Sequence, residues 1–186
     1  MTSEGALAQL VGLAPGRLPA LVADLARLRI TVAGAESLTG GLLCALLTEV
    51  PGSSAVVRGG LVVYATELKH QLAGVDADLL AARGPVDPEV AIQLAQGVRS
   101  VCGATVGLGL TGVAGPDPQH GVPVGTWFVA LVGESGHHLV SGSPGTLGAH
   151  PRTPQTAHSL PSGRERIRND AVRGAVDLLT ELVARS

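Results

Sequence analysis

The segment RITVAGAESLTGG, residues 29–41, joins a predicted strand to a predicted helix. Residues 29–34 have the composition of a short buried strand, and the apolar pattern of residues 38–50 is typical of a helix that Pro51-Gly52 ends. We expect Ser37 to be exposed on the turn between them, where unpaired backbone N–H groups and the helix dipole favour negative charge. The turn suits a phosphate or an oxyanion, although a serine that only caps the helix would show the same pattern.

Outward from this turn, helical and strand patterns alternate along the chain. Apolar spacing and helix-start signals predict helices over residues 18–28, 66–72, 87–103 and from about 164 onward. Strand patterns cover residues 60–65 and 104–110, and a hairpin is predicted over residues 125–132 and 138–141. The alternation predicts an α/β fold, namely a three-layer α/β/α sandwich with a mixed sheet.

The length of the chain, residues 1–186 at 18.7 kDa with 45% apolar residues, fits a single domain with a sizeable core. Residues 1–16 are expected to form an N-terminal extension. Residues 142–163 are rich in Pro, Gly, Ser, Thr and His and contain almost no large apolar residue, which predicts a mobile loop.

The composition excludes several classes of function. A net charge of −2 and 2% aromatic residues argue against a nucleic-acid surface, and no apolar run reaches membrane-spanning length. The two cysteines and the lack of a signal-like start predict a cytoplasmic protein without disulfides, and Cys44 reads as a core residue. The six histidines do not form a metal-binding pattern, so we expect no metal and a small-molecule ligand.

The chain contains twelve arginines but a single lysine, Lys69, and its only tyrosine, Tyr64, lies five residues earlier. Arginine stays protonated, whereas a desolvated lysine becomes a neutral amine that can act as a base. A lysine left by chance on a solvated helix face is the alternative. Together with Ser37, Lys69 suggests a serine–lysine arrangement in which the amine accepts the hydroxyl proton, and Tyr64 would relay that proton or orient the substrate.

Two further segments are candidates for the walls of a site. The glycine-rich segment 110–117 follows a predicted strand, and ligands collect at the carboxyl ends of strands in open α/β sheets, although a plain connection would look similar. Arg164 near the start of the last helix could clamp a carboxylate or phosphate, or it could belong to a solvated face together with Arg166 and Arg168.

These segments together resemble the CinA C-terminal-domain family. The resemblance covers about residue 31 to the C-terminus, with the motifs in the same order and spacing. The motifs are AESLTGG (35–41), VPGSS (50–54), YATELK (64–69), GV (74–75), TGVAGPD (111–117), PVGT (123–126) and SGRERIR (162–168).

The resemblance implies a stand-alone nicotinamide-mononucleotide deamidase of pyridine-nucleotide salvage, which needs no cofactor and forms a dimer. Ser37 would be the nucleophile or catalytic hydroxyl, with Tyr64 and Lys69 activating it. The residues assigned to substrate binding are Glu36, Thr39, Gly40, Gly41, Thr111, Gly112 and Arg164. A non-catalytic nucleotide-binding or assembly module of the same fold is the alternative.

The sequence departs from the family pattern at three places. Pro118-Gln119-His120-Gly121 stands where the family has two glycines, and Gly163 stands where it has an aspartate before the arginine. The predicted loop is also longer than is usual in the family. These departures put the substrate contacts near Pro118 and the anchoring of Arg164 in question.

Overall fold

Residues 5–144 and 163–186 are described by a computed structural model, so most of the predicted mobile loop, residues 145–162, lies outside the described residues. The helices are α1 (Ala6–Val11), α2 (Arg17–Arg27), α3 (Leu42–Thr48), α4 (Thr66–Ala73), α5 (Ala77–Arg83), α6 (Pro88–Cys102) and α7 (Gly163–Ala184). The strands are β1 (Val32–Glu36), β2 (Val57–Val62), β3 (Val106–Gly112), β4 (Trp127–Gly133) and β5 (Gly136–Gly142). A short 3-10 helix covers Ser53–Ala55.

The five strands form one mixed sheet in the order β2-β1-β3-β4-β5, which confirms the predicted fold class. Strand β1 pairs in parallel with β2 and β3, and β4 and β5 form the predicted antiparallel hairpin beside β3. The chain passes from β1 to β2 on one side and then crosses to β3 on the other. The carboxyl ends of β1 and β3 therefore flank a topological switch point, where open α/β sheets bind their ligands.

Helices cover both faces of the sheet. Helices α1, α2, α3 and α7 pack on one face around a core that includes Leu25, Leu46, Leu108 and Leu179, and helices α4 and α6 pack on the other. The predicted N-terminal extension contributes to this core, because Val11 is fully buried and Asn169 Nδ2 donates a hydrogen bond of 3.1 Å to the carbonyl oxygen of Leu10. No helix in the described part of the chain is long and apolar enough to cross a membrane.

Strand β3 presents bulky residues to one face and glycines to the other. Val106, Leu108 and Leu110 are buried on the α7 side, whereas Gly107 and Gly109 face α6. A Cβ atom at Gly109 would overlap the carbonyl oxygen of Ala91 on α6, so the missing side chain allows the helix backbone to lie against the strand. Helix α6 itself begins as predicted, with the Asp87 carboxylate capping the amide of Glu89 at 2.8 Å.

Two local predictions differ from the structure. Helix α3 begins at Leu42 and not at Leu38, because the chain first makes a turn in which Gly40 and Gly41 have φ values of 61° and 94°. Non-glycine residues rarely adopt this left-handed backbone, so these glycines serve the turn itself. Helix α5 was not predicted; none of its residues is fully buried, and its apolar pattern is correspondingly weak.

Replacing Gly109 by alanine should destabilise the fold, because the new methyl group would push α6 away from the sheet. We expect the free energy of unfolding to fall by about 3 kcal/mol, the upper end for overpacking a core. Urea denaturation of Gly109→Ala and of the matched control Gly133→Ala tests this. A Cβ at Gly133 meets only Val106 Cγ2, at 3.9 Å, so equal stability losses in the two variants would contradict the close-approach argument.

Candidate active site

Lys69 is a buried lysine, with 1% of its surface exposed. It lies on α4, which follows β2, and it faces inward together with Ala73, one turn further along the helix. Glu67 and His70 on the same helix are exposed. Helix α4 therefore directs Lys69 into the interior of the protein, and directs Glu67 and His70 to solvent. The alternative that Lys69 lies on a solvated helix face is wrong.

The Lys69 amine has three oxygen partners. Its Nζ atom lies 3.0 Å from Ser37 Oγ, 2.7 Å from the carbonyl oxygen of Val63 and 3.5 Å from that of Tyr64. Because carbonyl oxygens can only accept, they engage two N–H bonds of the amine. A neutral Lys69 then has its lone pair left for the Ser37 hydroxyl.

Burial lowers the pKa of Lys69 from 10.5 to about 8, and the nearby charge of Glu67 opposes this shift only in part. Desolvation disfavours the ammonium form, and the carboxylate of Glu67 favours it. A pKa of about 8 leaves an appreciable neutral fraction near neutral pH. The amine can therefore reach its neutral, proton-accepting form at a modest cost in free energy.

Ser37 lies directly after β1, at the switch point of the sheet. Its amide donates a hydrogen bond of 2.9 Å to the carbonyl oxygen of Leu110 on β3, which continues the parallel pairing by one residue. The side chain is largely buried, with 9% exposure, and not exposed as we expected. The hydroxyl thus reaches both the cleft and the Lys69 amine from a backbone fixed at its N-terminal side.

Glu36 has a different position from the one its assignment to substrate binding implies. Its fully buried carboxylate accepts hydrogen bonds from the amides of Gly41, Leu43 and Cys44 at 3.0, 3.1 and 2.9 Å. These are the unpaired N–H groups at the start of α3 that we expected to hold an anionic ligand. The protein supplies its own anion to this helix terminus.

Tyr64 and Arg164 meet at the rim of the site. Arg164 Nη2 donates to Tyr64 Oη at 2.9 Å, and Arg164 Nη1 donates to the carbonyl oxygen of Gly115. The tyrosine is 60% exposed, and its backbone carbonyl, not its hydroxyl, contacts Lys69. Of the two roles that the sequence left open for Tyr64, this geometry favours orienting the substrate over relaying a proton.

A cleft of about 320 Å³ opens above Ser37 and Lys69. The glycine-rich loop after β3 forms one wall, as predicted from its position, and Tyr64 and Arg164 stand at the rim. The other lining residues are Leu38, Pro85, Val86, Thr111, Gly112, Val113, Ala114, Gly115, Pro116, Asp117, Pro118 and Gln119.

The residues assigned to substrate binding divide into two groups. Thr111, Gly112 and Arg164 line the cleft, although the buried Thr111 hydroxyl donates to the carbonyl oxygen of Pro85 at 2.6 Å and so holds the wall together. Glu36, Thr39, Gly40 and Gly41 are not among the described residues that line it. The amide of Gly40 donates to the carbonyl oxygen of Ser37, and that of Gly41 donates to Glu36.

The departures from the family motif have local structural solutions. Gln119 and Val122 exchange two backbone hydrogen bonds of 3.1 and 2.9 Å across His120 and Gly121, which have φ values of 48° and 78°. This two-residue turn places Pro118 and Gln119 on the cleft. Gly163 is the first residue of α7, and Arg164 is held by Gly115 and Tyr64.

Other residues of the site were not found in the sequence. The carbonyl groups of Val63 and Tyr64 bind the lysine through the backbone, which any residue could supply, so no sequence signal marks them. Pro85 and Val86 reach the cleft from the segment before α6. Burial, with the charge of Glu36, raises the pKa of the Cys44 thiol to about 12, as fits a core residue and not a nucleophile.

Residues 18–143 match the family described as the CinA C-terminal domain. This chain belongs to that family. A CinA-like protein from Frankia casuarinae is 48% identical over 83% of the chain, and a putative competence-damage inducible protein from Geobacillus sp. (strain WCH70) is 50% identical over 54% of the chain. The matched parts make up 32% and 24% of these relatives, so the CinA-type domain spans about a third of their length or less.

Solved structures of the CinA family share the fold. The competence/damage inducible protein CihA from Agrobacterium tumefaciens superposes with a TM-score of 0.76 at 32% identity, covering 92% of this chain and 98% of its own. A CinA superfamily protein from Klebsiella pneumoniae 700603 gives a TM-score of 0.76 at 25% identity, covering 91% of this chain and 97% of its own. The mixed sheet with helices on both faces that the described residues form is thus a fold shared with these CinA-family structures.

Replacing Glu36 by glutamine should destabilise the protein. The glutamine side chain is neutral and has one acceptor oxygen, so it cannot replace the carboxylate that accepts from three backbone N–H groups. We expect the free energy of unfolding to fall by about 2–4 kcal/mol. Urea denaturation measures this loss, with the exposed Glu134→Gln as the matched control. If Glu36→Gln were as stable as the control, the carboxylate would not be the cap of α3.

Proposed function

We propose that this chain is an amidohydrolase of pyridine-nucleotide salvage that converts nicotinamide mononucleotide to nicotinic acid mononucleotide and ammonia. The observation that carries the proposal is the buried Lys69 amine, 3.0 Å from Ser37 Oγ, with two backbone carbonyl groups on its other sides. Such an amine can activate a serine for attack on a carbonyl carbon. The family resemblance supports the choice of substrate, and the geometry supports the reaction class.

The first half of the reaction consumes the amide. Neutral Lys69 accepts the hydroxyl proton as Ser37 Oγ forms a bond to the carboxamide carbon, and the carbonyl oxygen gains negative charge. The protonated amine then gives the proton to the leaving nitrogen, the carbon–nitrogen bond breaks, and ammonia departs. An ester between Ser37 and the nicotinoyl group remains.

The second half returns the enzyme to its starting state. A water molecule attacks the ester carbon while Lys69 accepts its proton, and the proton then passes to Ser37 Oγ as the ester bond breaks. The sum is one amide and one water converted to one acid and one ammonia. Direct attack by water, with Ser37 only positioning the substrate, is the mechanistic alternative, and trapping of an ester on Ser37 separates the two.

The developing oxyanion needs a donor from the cleft wall. The turn after Ser37 suits an oxyanion by its sequence, but the amides of Gly40 and Gly41 are engaged elsewhere, and Thr39 is not among the described residues that line the cleft. Gly112 lies at the carboxyl end of β3 and lines the cleft, so we propose its amide as the donor. A donor of this kind typically contributes about 3–4 kcal/mol to the stability of the transition state.

Arg164 gives the cleft its cationic rim. Its guanidinium binds two neutral oxygens, Tyr64 Oη and the Gly115 carbonyl oxygen, and neither neutralises its charge. An anionic group of the substrate would therefore bind there through charge-assisted hydrogen bonds. A mononucleotide supplies such a group in its phosphate, at the end opposite to the carboxamide.

Ammonia release from nicotinamide mononucleotide tests the proposal. Ser37→Ala should lower kcat by at least about 1000-fold because the nucleophile is lost. Lys69→Arg keeps the charge but cannot take up a proton, and Lys69→Met removes the nitrogen, so each should lower kcat by about 100-fold or more.

The control is Arg58→Lys, which replaces one positively charged side chain by another at an exposed position away from the cleft. This variant should leave kcat unchanged. All variants are compared at equal folded concentration, measured by circular dichroism. Full activity in Lys69→Arg would contradict the role of the amine as a base. A folded wild type that binds the nucleotide without releasing ammonia would contradict the proposed reaction and favour the nucleotide-binding module.

A further inference from the structure

Arg168 binds the turn that carries Ser37. Its Nε atom donates to the carbonyl oxygen of Leu38 at 3.1 Å, and its Nη2 atom donates to that of Thr39 at 2.7 Å. The half-buried arginine reaches this turn from α7, 129 residues further along the chain from Thr39. Two parallel donors in a rigid planar fork fix two successive carbonyl groups at once, which a lysine cannot do.

The second of these bonds leads to the backbone of Ser37. The Thr39 carbonyl and the Gly40 amide belong to one planar trans peptide, so they point in opposite directions. The carbonyl accepts from Arg168, and the amide donates to the carbonyl oxygen of Ser37 at 3.1 Å. Arg168 thus sets the plane of the peptide that closes the turn on Ser37.

The far end of the same turn is held by Glu36. Its carboxylate accepts from the amide of Gly41 at 3.0 Å, while Arg168 takes the carbonyl oxygens of the two residues after Ser37. The Glu36 carboxylate at the end of β1 and the Arg168 guanidinium on α7 therefore hold this short segment from two different elements. Left-handed backbone at Gly40 and Gly41 makes the turn possible, but glycine alone leaves it flexible.

We infer that Arg168 is a positioning residue that keeps the Ser37 hydroxyl aligned with Lys69 by fixing the Ser37–Gly41 turn, without touching the substrate. Arg168 is not among the described residues that line the cleft, whereas Arg164, four residues earlier on α7, is. The two arginines therefore have different roles: Arg168 holds the turn that carries the nucleophile, and Arg164 binds the substrate. The inference rests on the proposed function in so far as Ser37 is the reacting group.

The inference predicts a particular kinetic signature. In Arg168→Lys and Arg168→Met, kcat for nicotinamide mononucleotide should fall by about ten- to a hundredfold, because displacements of about 1 Å in a reacting group have effects of this size. KM should change less than about twofold, because the cleft walls remain. Arg164→Lys should instead raise KM. Arg166→Met, at an exposed position on the same turn of α7, is the matched control.

Hydrogen exchange supplies a readout that does not need activity. Mass spectrometry of the peptide spanning residues 36–44 should show at least about tenfold faster exchange of the Gly40 and Gly41 amides in the two Arg168 variants than in Arg166→Met. The variant Arg168→Met, which has no donor, should show the larger effect. Exchange around the β4–β5 turn at residues 132–137, which lies beside Gly107 at the opposite end of β3 from the Ser37 turn, should be unchanged in all of them, so a general loss of stability is detected separately.

The outcomes distinguish this inference from the proposed function. Unchanged exchange of the turn in both Arg168 variants would overturn the inference, whatever the activity. Faster exchange with an unchanged kcat would overturn it too, as would a raised KM with an unchanged kcat. If the Arg168 variants exchange faster but the wild type releases no ammonia, the result would support the role of Arg168 in fixing the turn and would contradict the proposed amidohydrolase activity.

Discussion

The burial of one amine is the constraint on which the candidate site depends. Lys69 is 1% exposed, and an ammonium in that position loses hydration that three oxygen partners replace only in part. Desolvation prevails over the attraction of Glu67, so the pKa of the amine falls to about 8. A lysine that would be fully charged on the surface is thereby partly neutral beside Ser37.

The sheet explains why the partners of this amine come from distant parts of the chain. Ser37 follows β1, the carbonyl groups of Val63 and Tyr64 follow β2, and the cleft wall follows β3. Three parallel strands end at one edge, and α4 returns its lysine to that edge. Helix α7 completes the arrangement with one arginine at the rim and another on the serine turn.

The sequence predicts the elements of this fold better than their edges. The motifs mark Ser37, Lys69 and the glycine-rich loop, and the structure brings these together at the switch point of the sheet. Burial of Ser37 and the start of α3 at Leu42 escaped prediction, since both depend on left-handed glycines. Glu36 was assigned to substrate binding as part of the AESLTGG motif, and the motif does not reveal that its carboxylate turns inward onto the amides of Gly41, Leu43 and Cys44.

The pKa of Lys69 can be measured directly, and it tests whether the buried amine can be neutral beside Ser37. Because the chain has a single lysine, selective ¹³C labelling of lysine Cε gives one side-chain NMR signal, and its chemical shift can be followed against pH in the intact protein. We predict a midpoint of about 8 in the folded state, and an ordinary value of about 10.4 after unfolding in concentrated urea. A folded-state midpoint near the unfolded value would show that the amine is charged near neutral pH, and would contradict the proposed role of Lys69 as a base.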